Sequence, residues 1–290
     1  MVQKLANLIY KILALFDFIF FKITKRSYMN FVYDIIRKNS YTNIVINNQK
    51  IGFFTPSEIS KWRVNTLYTK EPETLEWIDN FQNSGEKIIF WDIGANIGLY
   101  SIYAAVKFKN INVIAFEAST SNLAILSRNI SLNNLSERII LNQFPLTNKE
   151  NKYLTMSEKN FEEGGAWNSF GEKFDADGNN FQGENNYKVY GTTINYLIKN
   201  NILEIPNYIK IDVDGIEHMI LDGGKEYLKN SKVKSISVEI NENFKEQYDQ
   251  IQKILLESNF VFKYKKNSEM VKKSNSSKIY NFEFEKKINF

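Results

Sequence analysis

The sequence predicts an α/β protein organised on a doubly wound, mostly parallel β-sheet, with a helical segment before it and an antiparallel hairpin at its end. Two observations carry that expectation. Short apolar runs alternate with amphipathic helical stretches, and the first run opens onto a glycine turn that leads straight into a helix. The 290 residues leave room for one large domain or two modest ones, and an apolar share of 43% supports a sizeable core.

At the start of the chain, Leu5, Leu8, Ile9, Ile12, Phe16, Ile19, Phe20 and Ile23 recur at helical spacing. Lys11 and Asp17 interrupt the segment, so it falls short of the roughly 20 largely uncharged residues that span a bilayer. No small-residue cleavage site follows it, so it is not expected to be a signal peptide, and the chain is expected in the cytoplasm. Residues 1–26 are expected either to pack on the domain or on a sister subunit of a homo-oligomer, or to make peripheral membrane contact helped by Lys4, Lys22, Lys25 and Arg26. Asn43, Asn47, Asn48 and Gly52 punctuate short apolar alternations over residues 28–60, which suggests a small β element within an N-terminal extension of residues 1–70.

The main domain, residues 71–290, opens with a helix started by Pro72 and closed near Gly85. Lys87–Trp91 reads as a strand, Asp92 to Gly98 as the glycine turn, and Leu99–Phe108 as the helix it feeds. Asn112–Glu117 is a second strand ending in an acid, followed by a helix capped at Ser119 or Thr120 that reaches about Asn133. Further strands are expected at Ile139–Phe144, Tyr208–Val213 and Val233–Ile240, and a helix at Glu242–Ser258. Phe260–Tyr264 and Tyr280–Glu285, around the polar segment Lys265–Ser277, close the chain as the antiparallel hairpin. Between the third and fourth strands lies an insertion, residues 160–191, in which six of the 13 glycines fall. A segment this long is either a lid or disordered, and Trp167 and Phe170 favour a lid.

Composition removes several chemistries. Without cysteine there is no thiolate nucleophile, disulfide, Cys-type zinc site or iron–sulfur cluster, and one histidine, His218, excludes any site built on two imidazoles. Against 33 acidic residues, 37 basic ones leave a net charge of +4, too mild to imply a nucleic-acid partner. Carboxylate, amine, hydroxyl and backbone chemistry are left.

The turn Asp92, Ile93, Gly94, Ala95, Asn96, Ile97, Gly98 sits where doubly wound sheets bind ligands, and Glu117 ends the next strand at the spacing of a carboxylate that holds a ribose diol. An adenosine-containing cofactor is expected. A dinucleotide usually rests its pyrophosphate on Gly-x-Gly-x-x-Gly, whereas this turn reads Gly-x-x-x-Gly and follows an aspartate that would repel phosphate. Asp92 suits instead a ligand bearing an ammonium and a sulfonium, S-adenosylmethionine. Two alternatives stand beside that reading: an NAD-binding oxidoreductase, and a non-catalytic membrane-surface or scaffold protein in which the glycines merely pack strand against helix.

Phe90 to Ser101, Ala115 to Ala118, Ile209 to Glu217 and Leu221 to Gly224 together resemble the FkbM family of class I methyltransferases over about residues 70–260. The resemblance implies a Rossmann-like sheet of seven strands and transfer of a methyl group from S-adenosylmethionine to a hydroxyl of a glycan or secondary metabolite. It also implies cofactor contacts at Asp92, Gly94, Ala95, Asn96, Gly98, Glu117, Ala118 and Asp212. Ala118 stands where the family usually has proline, and Asn195 where an aspartate pair is common.

Methyl transfer is an in-line displacement, so positioning comes first and removal of the hydroxyl proton second. Strand alternation would put Lys210, Asp212 and Asp214 on one side, with Glu217 and His218 opening the next helix and Glu239 near the end of the fifth strand. Asp212, Asp214, Glu217, His218 and Glu239 are the candidates for base or orienter. Asp212 is equally an ion-pair partner for Lys210, and Asp214 with Glu217 would suit Mg²⁺, although no metal is required by the reading.

Overall fold

Asp17 clasps the first two helices into a hairpin. The computed structural model describes residues 1–82, 85–267 and 278–287. Helix α1 (Val2–Thr24) ends where Lys25 turns left-handed, at φ 59°, and α2 (Met29–Lys38) follows. One Asp17 oxygen accepts from Ser27 Oγ at 2.8 Å, and the other from the backbone N–H groups of Tyr28 at 2.7 Å and Met29 at 3.3 Å. A carboxylate thus meets the positive end of α2. No residue of either helix is buried. No described helix is long and apolar enough to cross a membrane. The hairpin forms one compact unit, Met1–Tyr41, and Thr42–Phe290 forms a second.

The second unit begins with a two-stranded sheet, β1 (Tyr41–Ile46) and β2 (Gln49–Phe54), reversed at Asn47 and Asn48, both at positive φ. Short helices follow: α3 (Glu58–Asn65), held by a capping box between Ser57 and Ser60, then α4 (Leu67–Lys70) and α5 (Pro72–Asp79). Ile46, Phe53, Phe54, Val64 and Leu67 are buried in one cluster with Trp77 and Phe90, so residues 42–70 pack as part of this unit.

The chain continues through β3 (Ile88–Ile93), α6 (Leu99–Lys107), β4 (Ile111–Phe116), α7 (Thr120–Leu132) and β5 (Ile139–Asn142). Next come β6 (Lys152–Glu158), β7 (Asn168–Phe170), β8 (Asn185–Gly191) and α8 (Ile194–Lys199). The last stretch comprises β9 (Tyr208–Ile211), α9 (Glu217–Asp222), α10 (Lys225–Leu228), β10 (Ser235–Asn241), α11 (Lys245–Glu257), β11 (Phe260–Lys266) and β12 (Ile279–Lys286).

Seven strands form the main sheet in the order β11-β12-β10-β9-β3-β4-β5. The five from β10 to β5 run parallel, and the terminal hairpin β11–β12 joins β10 antiparallel. This is the doubly wound sheet the sequence predicts. In β3, Ile88 and Phe90 enter the core on one face while Ile89, Trp91 and Ile93 enter the core on the other. Burial on both faces explains why Ile88–Trp91 reads as a continuous apolar run.

Two expectations change. The insertion supplies β7 and β8 to a three-stranded antiparallel sheet, β7-β6-β8, whose central strand, Lys152–Glu158, precedes it and pairs along its length with Asn185–Gly191. The strand expected to reach Val213 stops at Ile211, where Asp214 at φ 63° and Gly215 at φ 129° turn the chain. Of the polar segment Lys265–Ser277, residues 268–277 lie outside the described residues, as do residues 83–84 near the expected helix end at Gly85.

Candidate active site

Parallel pairing brings the carboxyl ends of β3, β4, β9 and β10 to one edge, and a cavity of about 410 Å³ opens there. The glycine turn forms its floor. The N–H groups of Gly94 and Ala95 both donate to the Phe116 carbonyl, at 3.0 and 2.9 Å. Gly94 sits at φ 86°, and a Cβ there would fall 1.8 Å from the Asp212 carbonyl oxygen. No other residue fits between the ends of β3 and β9. Gly98 stands further back as the N-cap of α6, where a Cβ would press into Leu126 at 2.5 Å. Asn129 holds the turn from behind, donating to the Ile97 carbonyl at 2.9 Å while accepting from Phe54 N–H at 2.7 Å.

Glu117 is oriented before any ligand arrives. One oxygen accepts from Asn96 N–H at 2.7 Å and the other from Ser119 N–H at 2.8 Å. Burial pushes its carboxyl up to about 7 against the pull of those two bonds. Asp92, expected to face the cofactor's positive charge, lies beneath the turn and does not line the cavity. It accepts from Ser101 Oγ at 2.5 Å, its Oδ1 has no partner, and burial raises its pKa.

Acids and ammonium groups interleave along the opposite wall. Lys210 is fully buried and donates to Asp212 at 2.7 Å, with its ammonium 5.0 Å from the Tyr100 ring centre. Tyr100 in turn donates to Glu71 at 2.7 Å, and Glu71 also pairs with Lys70. Although burial opposes its charge, Asp212 is held well below the usual carboxylate range by Lys210 and Lys70. Glu239 behaves oppositely. Burial, with Asp212 and Glu71 beside it, raises its pKa well above that range. Among the described residues, carboxylate oxygens of Glu71, Asp212 and Glu239 lie within 4.8 Å of one another, close enough to share a cation. Lys70 and Lys210 already balance two of them.

The insertion lies over the turn. Gly165 carbonyl accepts from the side chains of Asn96 at 2.8 Å and Asn122 at 3.1 Å, and Arg63 Nε donates to Gly164 carbonyl at 2.5 Å. Trp167 N–H donates to Asp214 at 2.7 Å, and Trp167 and Phe170 line the cavity as a lid's inner face would.

Among the residues expected from the sequence, Gly94, Asn96, Glu117 and Ala118 line the cavity, and so do Asp212, Asp214 and Glu239. Asp92, Ala95, Gly98, Glu217 and His218 do not. Glu217 accepts from Val213 and Gly215 N–H groups and from Gln247, bracing the turn after β9, and burial pushes its carboxyl up to about 7. His218 packs between Phe174 and Phe244, and burial lowers its pKa. Arg63, Lys70, Glu71 and Glu73 also line the cavity. Their one local signal is position, just before or within a helix start at Pro72, which points to no chemistry.

The model of the methyltransferase FkbM domain family matches residues 92–264, more than half of the chain. The chain belongs to that family. No functionally curated protein matches it. Among solved structures, a methyltransferase FkbM from Methylobacillus flagellatus KT is 14% identical, with a TM-score of 0.45 over 78% of this chain and 52% of that one. This FkbM chain thus spans about half the length of that structure. A precorrin-6y C5,15-methyltransferase from Geobacter metallireducens GS-15 is 13% identical, with a TM-score of 0.43 over 75% of this chain and 87% of that one. A putative rRNA methylase from Clostridium thermocellum is 11% identical, with a TM-score of 0.46 over 77% of this chain and 98% of that one. What each of these methylates is a property of that protein.

FkbM methyltransferases use S-adenosylmethionine, and the dehydrogenase reading ends here. The residues present fit that cofactor. Glu117 is a carboxylate already oriented by two N–H donors with lone pairs left for a diol, the backbone at Gly94 is bare, and Asp212 and Asp214 supply negative charge nearby. When bound, the cofactor supplies a methyl group activated on a sulfonium.

Proposed function

We propose that this FkbM protein methylates a hydroxyl of a glycan or secondary metabolite, with Glu239 taking the hydroxyl proton. One observation carries the reading: a carboxyl group with raised proton affinity shares the cavity with the glycine turn and Glu117. An alcohol is a weak nucleophile, and a positioned carboxylate with raised proton affinity accepts its proton more readily than an ordinary carboxylate does. The other candidates are engaged elsewhere. Asp212 is tied to Lys210, Asp214 accepts from the N–H groups of Trp167 and Asn168, and Glu217 and His218 lie off the cavity. Asp212 and Lys70 then orient the acceptor. Trp62, Trp167 and Tyr280 offer aromatic faces, and Glu73 and Asn281 offer polar groups, a combination suited to a ring bearing several hydroxyls.

The test is incubation with S-adenosylmethionine and pools of glycans and metabolites, followed by mass spectrometry. The expected product gains one CH₂ on oxygen and is lost in Glu239→Gln. A gain on nitrogen or carbon, or a product that Glu239→Gln still makes at full rate, would overturn the reading.

A further inference from the structure

We propose that the hairpin Met1–Tyr41 docks on an anionic lipid surface, with α1 lying in the plane of the interface. Leu5, Ile9, Ile12, Phe16, Ile19 and Ile23 recur at spacings of three and four and so share one face of α1. They are between 48% and 77% exposed. A continuous apolar stripe of this kind is costly to leave in water and marks a binding surface.

Charge chooses the occupant. Lys4, Lys11 and Lys22 are separated by about two and about three helical turns, which places them on a second stripe, away from the apolar face. The Lys22 ammonium lies 4.5 Å from the Phe18 ring centre, folded back along the helix as a side chain does when its stem is apolar and its head seeks an interface. Asp17, the acid of α1, is turned towards Ser27, Tyr28 and Met29, where the start of α2 meets its charge. Seven basic and two acidic residues give Met1–Tyr41 a charge of +5, against +4 for the whole chain. The protein's entire positive excess therefore resides in the segment that carries the exposed apolar stripe. A second copy would bring the same sign of charge, whereas a surface of anionic headgroups over acyl chains complements both stripes. With no described helix able to cross a membrane, the contact is one of lying on the surface.

Flotation of the full chain with vesicles tests the proposal, using phosphatidylcholine alone and an equal mixture with phosphatidylglycerol. The expected result is flotation with the mixture, weak or none with phosphatidylcholine alone, and release at high salt. Replacing Lys4, Lys11 and Lys22 together by glutamate lowers partitioning by about tenfold or more, while binding of S-adenosylhomocysteine stays unchanged. Ile12→Asn should also lower it. Absence of flotation with either vesicle, or equal flotation with both, overturns the proposal. So does a concentration-dependent dimer in sedimentation velocity that Ile12→Asn abolishes without any vesicle binding, which would assign the stripe to a second copy.

Discussion

The backbone N–H of Trp167 donates to the carboxylate of Asp214 across 2.7 Å, and this bond ties the insertion to the turn after β9. Asn168 N–H reaches the same oxygen at 3.4 Å. Asp214 adopts φ 63°, a conformation that costs a non-glycine residue energy and that the two donors help to hold. The insertion and the cavity's acidic wall are thus one hydrogen-bonded assembly.

Asp214→Ala should free that edge of the insertion. The amides of Trp167 and Asn168 are expected to exchange with deuterium faster, and S-adenosylhomocysteine to dissociate up to about tenfold faster, a change of about 1.4 kcal/mol that is part of what a charge-assisted hydrogen bond contributes. Unchanged exchange at both amides would show that the bond does not hold the segment.

Glu239→Gln should separate chemistry from binding. A general base typically contributes about 10² to 10⁴ in rate, so kcat should fall by that factor while affinity for S-adenosylhomocysteine is unaltered. An equal loss in both would make Glu239 a binding group.

Glu117 should give cofactor binding a pH dependence. Its carboxyl titrates at about 7 in the free protein, and a diol that donates to it favours the ionised form. Binding below about 7 therefore releases a proton, and affinity should rise up to about tenfold per pH unit before levelling off above it. Calorimetry in buffers of different ionisation heat reads the proton directly, and Glu117→Gln should abolish the slope.

Folding stability has the opposite slope. Glu117 and Glu217 are both raised to about 7 from an ordinary value of 4.5, so the native state holds protons that the unfolded chain has released between those values. Their stabilising contribution is fully present below about 4.5 and is lost as pH climbs through about 7. Thermal melts of the ligand-free protein should show a falling Tm across that window, less steeply in Glu217→Gln.

Lys210→Met keeps the volume of the side chain but strands Asp212. Removing one member of a buried pair costs about 3–5 kcal/mol, and the cavity-facing side of Asp212 should bring this to about 2–4 kcal/mol. Lys210→Met with Asp212→Asn should recover part of the loss, because the uncompensated charge goes with it. A denaturant melt of the three variants measures the coupling.

The sheet was legible because its strands are buried on both faces, so Ile88–Trp91 and Val113–Phe116 read as continuous apolar runs, and because Gly94 and Glu117 stand at the strand ends where a local pattern can be read. The insertion's sheet was not, since Lys152–Glu158 pairs with Asn185–Gly191 across a glycine-rich stretch, and such non-local pairing leaves no periodic trace. Short helices such as α3 and α4 also escaped, as four to eight residues carry too little periodicity to detect.

By itself, the order of residues determined the doubly wound architecture, the cofactor turn and the set of acids near it, because these depend on alternation and on spacing along single strands. Tertiary structure alone decided how each acid is held. It buried Asp92 beneath the turn, paired Asp212 with Lys210, committed Asp214 to Trp167 and withdrew Glu217 and His218 into the core. It also brought in Lys70 and Glu71 from before the matched family domain. The reason is electrostatic: the proton affinity of a carboxylate is set by burial and by the charges within a few ångströms, and those neighbours come from segments far apart in the chain.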